Sequence, residues 1–154
     1  MYNNVKIKVL AEEGAALPVY KTEGAAGADV CAFLKNDVVI KPNERRLIPT
    51  GLFFEIPEGF EVQVRPRSGL ALKNGVTVIN SPGTIDSDYR GEIQVLLVNF
   101  SAEPYTVHSG ERIAQLVVAP VTIASWEKTI SLSESERGEG GWGSTGGFSC
   151  SASS

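Results

Sequence analysis

The hydrophobic pattern between residues 5 and 121 is broken repeatedly by proline, glycine or small clusters of Asp, Asn and Ser. That rhythm constrains the fold more than any other feature of the chain. "VKIKVL" (5–10) sets Val5, Ile7 and Val9 against Lys6 and Lys8, and "EVQVR" (61–65) alternates in the same way. A period of two puts one face of an extended segment in a core and the other toward water. "DVCAF", "DVVI", "GLFFEI", "GVTVI", "IQVLLVNF" and "RIAQLVVAPV" are short and rich in β-branched or aromatic residues, which suit strands. Pro42, Pro49, Pro57, Pro66, Pro82, Pro104 and Pro120 fall at or beside the ends of these runs, where a missing N–H is tolerated. The expectation is an all-β domain built as a sandwich, jelly roll or barrel. Helix is limited to "SGLALK" (68–73), with Ser68 as its cap and Gly75 as its stop.

After about residue 125 the composition changes. "SESERGEGGWGSTGGFSCSASS" (133–154) is Gly-, Ser- and Glu-rich and nearly free of aliphatic side chains, so it cannot bury enough apolar surface to fold alone. We therefore expect a core domain over 1–125 and a flexible C-terminal arm over 126–154. Arg137 and Trp142 have no use in a plain linker. Arginine pairs with phosphate oxygens, indole stacks on a base, and glycine-rich backbone approaches phosphate closely. That combination suggests an arm that orders on a nucleotide.

The 154 residues carry 14 Lys and Arg against 18 Asp and Glu, a net charge of −4, which disfavours direct nucleic-acid binding. No apolar run is long enough to span a bilayer, and "MYNNVKIKVL" lacks the apolar core of a signal peptide, so a cytoplasmic protein is expected. Of the two cysteines, Cys31 reads as a small core residue, and a Cys31–Cys150 disulfide is disfavoured in a reducing compartment. His108 is the single histidine, and there is no C-x-x-C or G-x-S-x-G, which argues against a zinc site or a serine triad.

Four stretches of the core carry chemistry, and each has a plain alternative. "GTIDSDYRGEI" (83–93) crowds Asp86, Asp88 and Glu92 around Tyr89 and Arg90. It reads as the polar tip of a hairpin, or as a site where an inward carboxylate holds a water against an electrophile. "RPRSGLALKNG" (65–75), with Arg65 and Arg67 flanking a proline before a serine and a glycine, is a capped helix with solvated arginines, or an anion site of exposed N–H groups with an arginine clamp. Gln115 in "GERIAQL" (110–116) is a polar strand residue or a ligand contact. "GAAGADV" (24–30) is a tight turn ending in Asp29, or a small-residue loop for a ligand.

Taken in order, "AGADV" (26–30), "RPRSGLA" (65–71), "GTIDSDYRGEI" (83–93), "GERIAQL" (110–116) and "RGEGGWGSTG" (137–146) closely resemble the five motifs of the homotrimeric deoxyuridine triphosphatase (dUTPase) family. The resemblance implies a jelly-roll fold and a homotrimer with shared active sites, each drawing motifs from all three chains. It implies Mg2+-dependent hydrolysis of dUTP to dUMP and pyrophosphate by water attack on the α-phosphorus. Such an activity limits uracil incorporation into DNA and supplies dUMP for thymidylate synthesis. By the same match Asp86 orients the attacking water and contacts the sugar 3′-hydroxyl, and the Tyr89 ring beneath the deoxyribose excludes a 2′-hydroxyl. Asn80, Thr84, Ile85 and Gln94 belong to the segment that reads uracil. Arg67, Ser68, Gly69 and Gln115 match phosphate contacts. Asp29 matches an aspartate that supports the metal's water shell and the phosphate-binding arginine, the metal itself being held mainly by the substrate. Arg137 is matched to the γ-phosphate, Trp142 to stacking on the base, and Gly143, Ser144 and Thr145 to further phosphate donors.

The fifth motif departs from the family at Trp142, where phenylalanine is usual, and indole stacks at least as well. Two rivals stand beside this reading: a sister class of the same fold that deaminates dCTP, and a binding module without activity. The complete fifth motif and the Tyr89 hairpin argue against the first, and the filled catalytic positions argue against the second.

Overall fold

The computed structural model describes residues 4–142. Ten strands and one short helix make up the ordered elements: β1 Lys8–Ala11, β2 Ala28–Cys31, β3 Val38–Ile40, β4 Arg45–Glu55, β5 Phe60–Arg65, α1 Ser68–Asn74, β6 Val76–Val78, β7 Gly83–Ile85, β8 Glu92–Asn99, β9 Tyr105–Val107 and β10 Arg112–Pro120. One four-stranded sheet runs β1-β4-β8-β6, a second runs β2-β10-β5-β7, and β3 pairs with β9. All pairings are antiparallel. This is the all-β, jelly-roll-like arrangement that the broken hydrophobic pattern demands.

The alternation builds the core directly. Ile48, Leu52, Val95 and Leu97 of the first sheet meet Val30, Val62, Val64 and Leu116 of the second in one cluster, which Ile40 and Val107 of the small sheet complete. Side chains buried this fully each contribute about 1.5–3 kcal/mol relative to exposure. Asn99, fully buried, is paid in hydrogen bonds: its amide N–H groups donate to Ile40 O (2.9 Å) and Glu103 O (2.7 Å), and its Oδ1 accepts from Ser101 N (2.9 Å) and Ser101 Oγ (2.7 Å).

Three expectations need correction. Pro49 sits inside β4, not at a strand end. β1 pairs only with residues 52–55 of that strand and so does not extend the ladder to Pro49, whose carbonyl instead accepts from Phe33 N (2.8 Å), and the register shifts just beyond it. Ser68 is not the cap of α1. The N-cap is Arg67, in an extended conformation and without a side-chain cap bond, and its carbonyl accepts the first helical bond from Ala71 N at 3.1 Å. Gly75 does stop the helix, at φ 65° in the left-handed region. Finally, "GTIDSDYRGEI" is not the tip of a hairpin of paired neighbours, because β7 pairs with β5 in one sheet and β8 with β4 and β6 in the other. The segment crosses between sheets.

Residues 4–122 lie in one compact unit, and residues 123–142 belong to a second. In the second unit, among the described residues, Ile123, Trp126, Ile130 and Leu132 are exposed and no strand or helix forms.

Candidate active site

The crossing segment opens a cleft of about 250 Å³. Leu47, Val64, Ile93 and Leu96 supply its apolar wall, and Asn80, Gly83, Thr84, Ile85, Asp86, Tyr89, Glu92 and Gln94 supply the rest. Asn80, Thr84, Ile85, Asp86, Tyr89 and Gln94 are thus brought together. A cleft that sets aliphatic side chains beside amide, hydroxyl and carboxylate groups suits a ligand with both an apolar face and a polar edge.

The loop from Asp86 to Glu92 is braced from within. Tyr89 N donates to Asp86 O (3.2 Å), and Tyr89 Oη donates to Glu92 O (3.1 Å). Arg90 Nη1 donates to both Ser87 O (2.7 Å) and Tyr89 O (2.9 Å). Glu92 ties the loop to the sheet: its Oε1 accepts from Gly51 N (2.9 Å) and its Oε2 from Gln94 Nε2 (3.2 Å). Thr50 Oγ1 donates to Ile93 O at 2.5 Å in the same place. Asp86 stands exposed at the end of β7, and these bonds leave its carboxylate out.

A second group lies on β2, β10 and the turn after β5. Arg67 Nε donates to Asp29 Oδ1 (3.1 Å), Arg112 Nη1 to Asp29 Oδ2 (2.8 Å), and Arg67 Nη1 to Arg112 O (3.1 Å). The Asp29 side chain is only 14% exposed, so its charge is compensated where water reaches it poorly. Gln115 faces Asp29 on one side and Arg65 on the other in the strand register, and its Nε2 donates to Pro66 O (2.9 Å). The small-residue loop has a reason here: a Cβ on Gly27 would lie 2.5 Å from Gln115 Oε1. Ser68 and Gly69 follow Arg67 directly and are exposed.

Beside this group, Tyr105 Oη hydrogen-bonds Glu111 Oε1, and Glu111 Oε2 accepts from His108 N (3.1 Å). Burial, reinforced by the Glu111 carboxylate, pushes the Tyr105 phenol well above its ordinary range. His108 Nδ1 lies 2.8 Å from Asp37 Oδ2 in an exposed pair. Cys31, a free and partly buried thiol, is pushed up by burial first and by Asp29 second.

None of Asp29, Arg67, Ser68, Gly69 or Gln115 lines the cleft, so one chain holds two separate groups of candidate residues. In the arm, Arg137 Nε donates to Gly140 O (2.8 Å) and Trp142 is fully exposed. Gly143, Ser144 and Thr145, and Cys150 with them, lie outside the described residues. Reading the sequence did not single out Arg112, which pairs with Asp29, or Glu92, which ties the crossing loop to the sheet. Both sit inside quoted motifs.

The sequence pattern of the dUTPase family matches residues 13–146. The chain belongs to the dUTPase family. It is 58% identical over 145 residues to the deoxyuridine 5′-triphosphate nucleotidohydrolase of Beijerinckia indica, covering 92% of this chain and 91% of that one. Its likeness to the protein of the same name from Cytophaga hutchinsonii is 55% over 140 residues, 91% of each chain. Among solved structures, the G164S mutant of the Staphylococcus bacteriophage 80alpha dUTPase with dUpNHpp superposes with a TM-score of 0.82 at 27% identity, over 94% of this chain and 99% of that one. Membership in the family makes this chain an enzyme that hydrolyses dUTP to dUMP.

Proposed function

We propose that this dUTPase cleaves dUTP to dUMP and pyrophosphate by directing a water, oriented by Asp86, onto the α-phosphorus. The observation that carries the division of labour is the separation of the two groups: no Lys or Arg lines the cleft around Tyr89, and neither Asp29, Arg67 nor Gln115 lines it. The cleft takes the nucleoside. Asn80, Gln94 and the backbone of Thr84 and Ile85 read the uracil edge, and the Tyr89 ring lies under the deoxyribose. The carboxylate of Asp86, unengaged by the loop's own bonds, holds the water and meets the 3′-hydroxyl. A carboxylate is a weak base, so its main contribution is position.

Arg67, Ser68, Gly69 and Gln115 take the phosphates, with Asp29 fixing the Arg67 guanidinium. Among the described residues no group of three or more His, Cys, Asp or Glu side chains could hold a metal, and both Asp29 oxygens face guanidinium groups. This donor set fits an Mg2+ carried by the triphosphate, with Asp29 reaching it only through water. When bound, the ion would neutralise charge building on phosphoryl oxygens. From the arm, Arg137 takes the γ-phosphate, Trp142 stacks on uracil, and Gly143, Ser144 and Thr145 add phosphate donors.

Because slot and clamp are apart in one chain, the active site forms between chains, in a homotrimer that closes on itself. No helix among the described residues is long and apolar enough to cross a membrane, and the reading places the enzyme with its nucleotide in the cytoplasm. Pyrophosphate release measured with Mg2+ across dUTP, dCTP, dTTP and UTP should select dUTP; ammonia from dCTP would point to the deaminase class instead. Shared sites have their own test. Co-expressed Asp86→Asn and Arg67→Ala chains, each inactive alone, should regain up to about a quarter of wild-type activity in random mixed trimers, since each leaves the other's half intact. No recovery would place both groups in a site within one chain.

A further inference from the structure

We propose that Gly91 is a specificity-determining residue, because the absence of its side chain fixes where the Tyr89 ring lies. This rests on the reading of Tyr89 as the ring beneath the sugar. Tyr89 and Glu92 are joined by the bond from the Tyr89 hydroxyl to the Glu92 carbonyl, so the ring arches back over Gly91. A Cβ built on Gly91 would collide with the Tyr89 hydroxyl and lie 2.5 Å from Cζ and 2.9 Å from Cε2. Its three nearest neighbours all belong to Tyr89.

Two further observations isolate the effect. Gly91 is not among the glycines with positive φ, so alanine is free of backbone strain there. Arg90 holds the Ser87 and Tyr89 carbonyls from one nitrogen, so the backbone of Tyr89 cannot retreat without losing these bonds. The relief for a methyl group at 91 is therefore rotation of the exposed Tyr89 side chain. That rotation breaks the bond to Glu92 and moves the ring along the cleft wall. The space beside the sugar's 2′ carbon then opens, and ribonucleotide enters.

The test compares kcat/KM for dUTP and UTP in the wild type, Gly91→Ala, Tyr89→Ala and the double variant. Gly91→Ala should raise the UTP-to-dUTP ratio by at least about fivefold, toward that of Tyr89→Ala. In the Tyr89→Ala background the same change should move the ratio by less than about twofold, since its target is gone. An unchanged ratio in Gly91→Ala, or an equal effect in both backgrounds, overturns the inference while leaving the role of Tyr89 intact. A Tyr89→Ala ratio equal to wild type would instead remove the reading beneath it, and the inference with it. Should Gly91→Ala fail to fold, recovery of folding in the double variant supports the contact, and failure of both refutes it.

Discussion

The carboxylate of Asp29 commits both oxygens to guanidinium groups, 3.1 Å from Arg67 Nε and 2.8 Å from Arg112 Nη1. That of Asp86 stands exposed at a strand end, in a loop whose hydrogen bonds run through Tyr89, Arg90 and Glu92. One side chain serves two purposes because its surroundings differ. Where two cations converge and water is scarce, a carboxylate becomes scaffolding that aims the cations. Where the loop satisfies itself through its backbone, the carboxylate is left to meet an outside reactant. In the proposed function, the free carboxylate beside the cleft and the tied one beside the arginines serve as two halves of one site.

The strongest way to break this comparison is Asp86→Asn. The amide keeps the shape and removes the charge that orients water, so kcat should fall at least about a hundredfold. Melting temperature and affinity for a non-hydrolysed dUTP analogue should stay near wild type. Near-normal kcat would mean Asp86 is only part of the turn. Asp29→Asn should behave differently. It leaves Arg67 and Arg112 facing each other without their shared counter-charge, so kcat/KM should drop about tenfold, roughly 1.4 kcal/mol, mainly through KM. Stability should fall as well, by about 1–3 kcal/mol. Steady-state kinetics beside thermal melts separates the two variants, and a kcat-only loss at Asp29 would erase the distinction drawn here.

The sequence disclosed one half of this contrast better than the other. Strand alternation in "EVQVR" and the β-branched runs made the all-β fold legible, because a period of two has one physical meaning. Asp86 and Tyr89 stood out by their wording within a motif. The pairing of Asp29 with Arg112 did not, because it joins residues 83 apart and exists only once β10 lies against β2. Nor did the split of residues 83–93 between two sheets, since local turn chemistry looks the same whether the next strand pairs back or crosses over. Pro49 misled for a related reason: its place inside β4 is tolerated where the ladder from β1 stops short and the β8 register shifts.

Tyr89→Ala sharpens the cleft side. If the ring excludes ribose, its loss should change the dUTP-to-UTP ratio of kcat/KM by at least about tenfold, with little change in melting temperature. The outcome to watch is a variant that loses dUTP turnover without gaining any tolerance of UTP. That would make Tyr89 a support for Asp86, and the free carboxylate would then depend on the ring beside it.

The smallest effect is expected behind the arginine group, at Tyr105. Its hydroxyl bonds Glu111, the residue before Arg112, and Glu111 O accepts from Ala32 N at 2.8 Å, so this contact braces the strand that carries Arg112. Tyr105→Phe should lower stability by about 1 kcal/mol, discounted because the pair is partly open to water, and should leave kcat/KM near wild type. The pH dependence follows in sign. Burial and then the Glu111 carboxylate raise the folded-state value of the phenol above its unfolded value. The stabilisation is therefore complete below about pH 10, where the unfolded phenol is still protonated, and is lost as pH rises toward the folded value. Chemical denaturation at pH 8 and pH 10.5 should show the wild type's advantage over the variant shrinking at the higher pH. A Tyr105→Phe enzyme as stable as wild type but several-fold weaker toward dUTP would show that the brace acts on the arginines themselves, and Asp29 would no longer be the sole organiser of its side of the site.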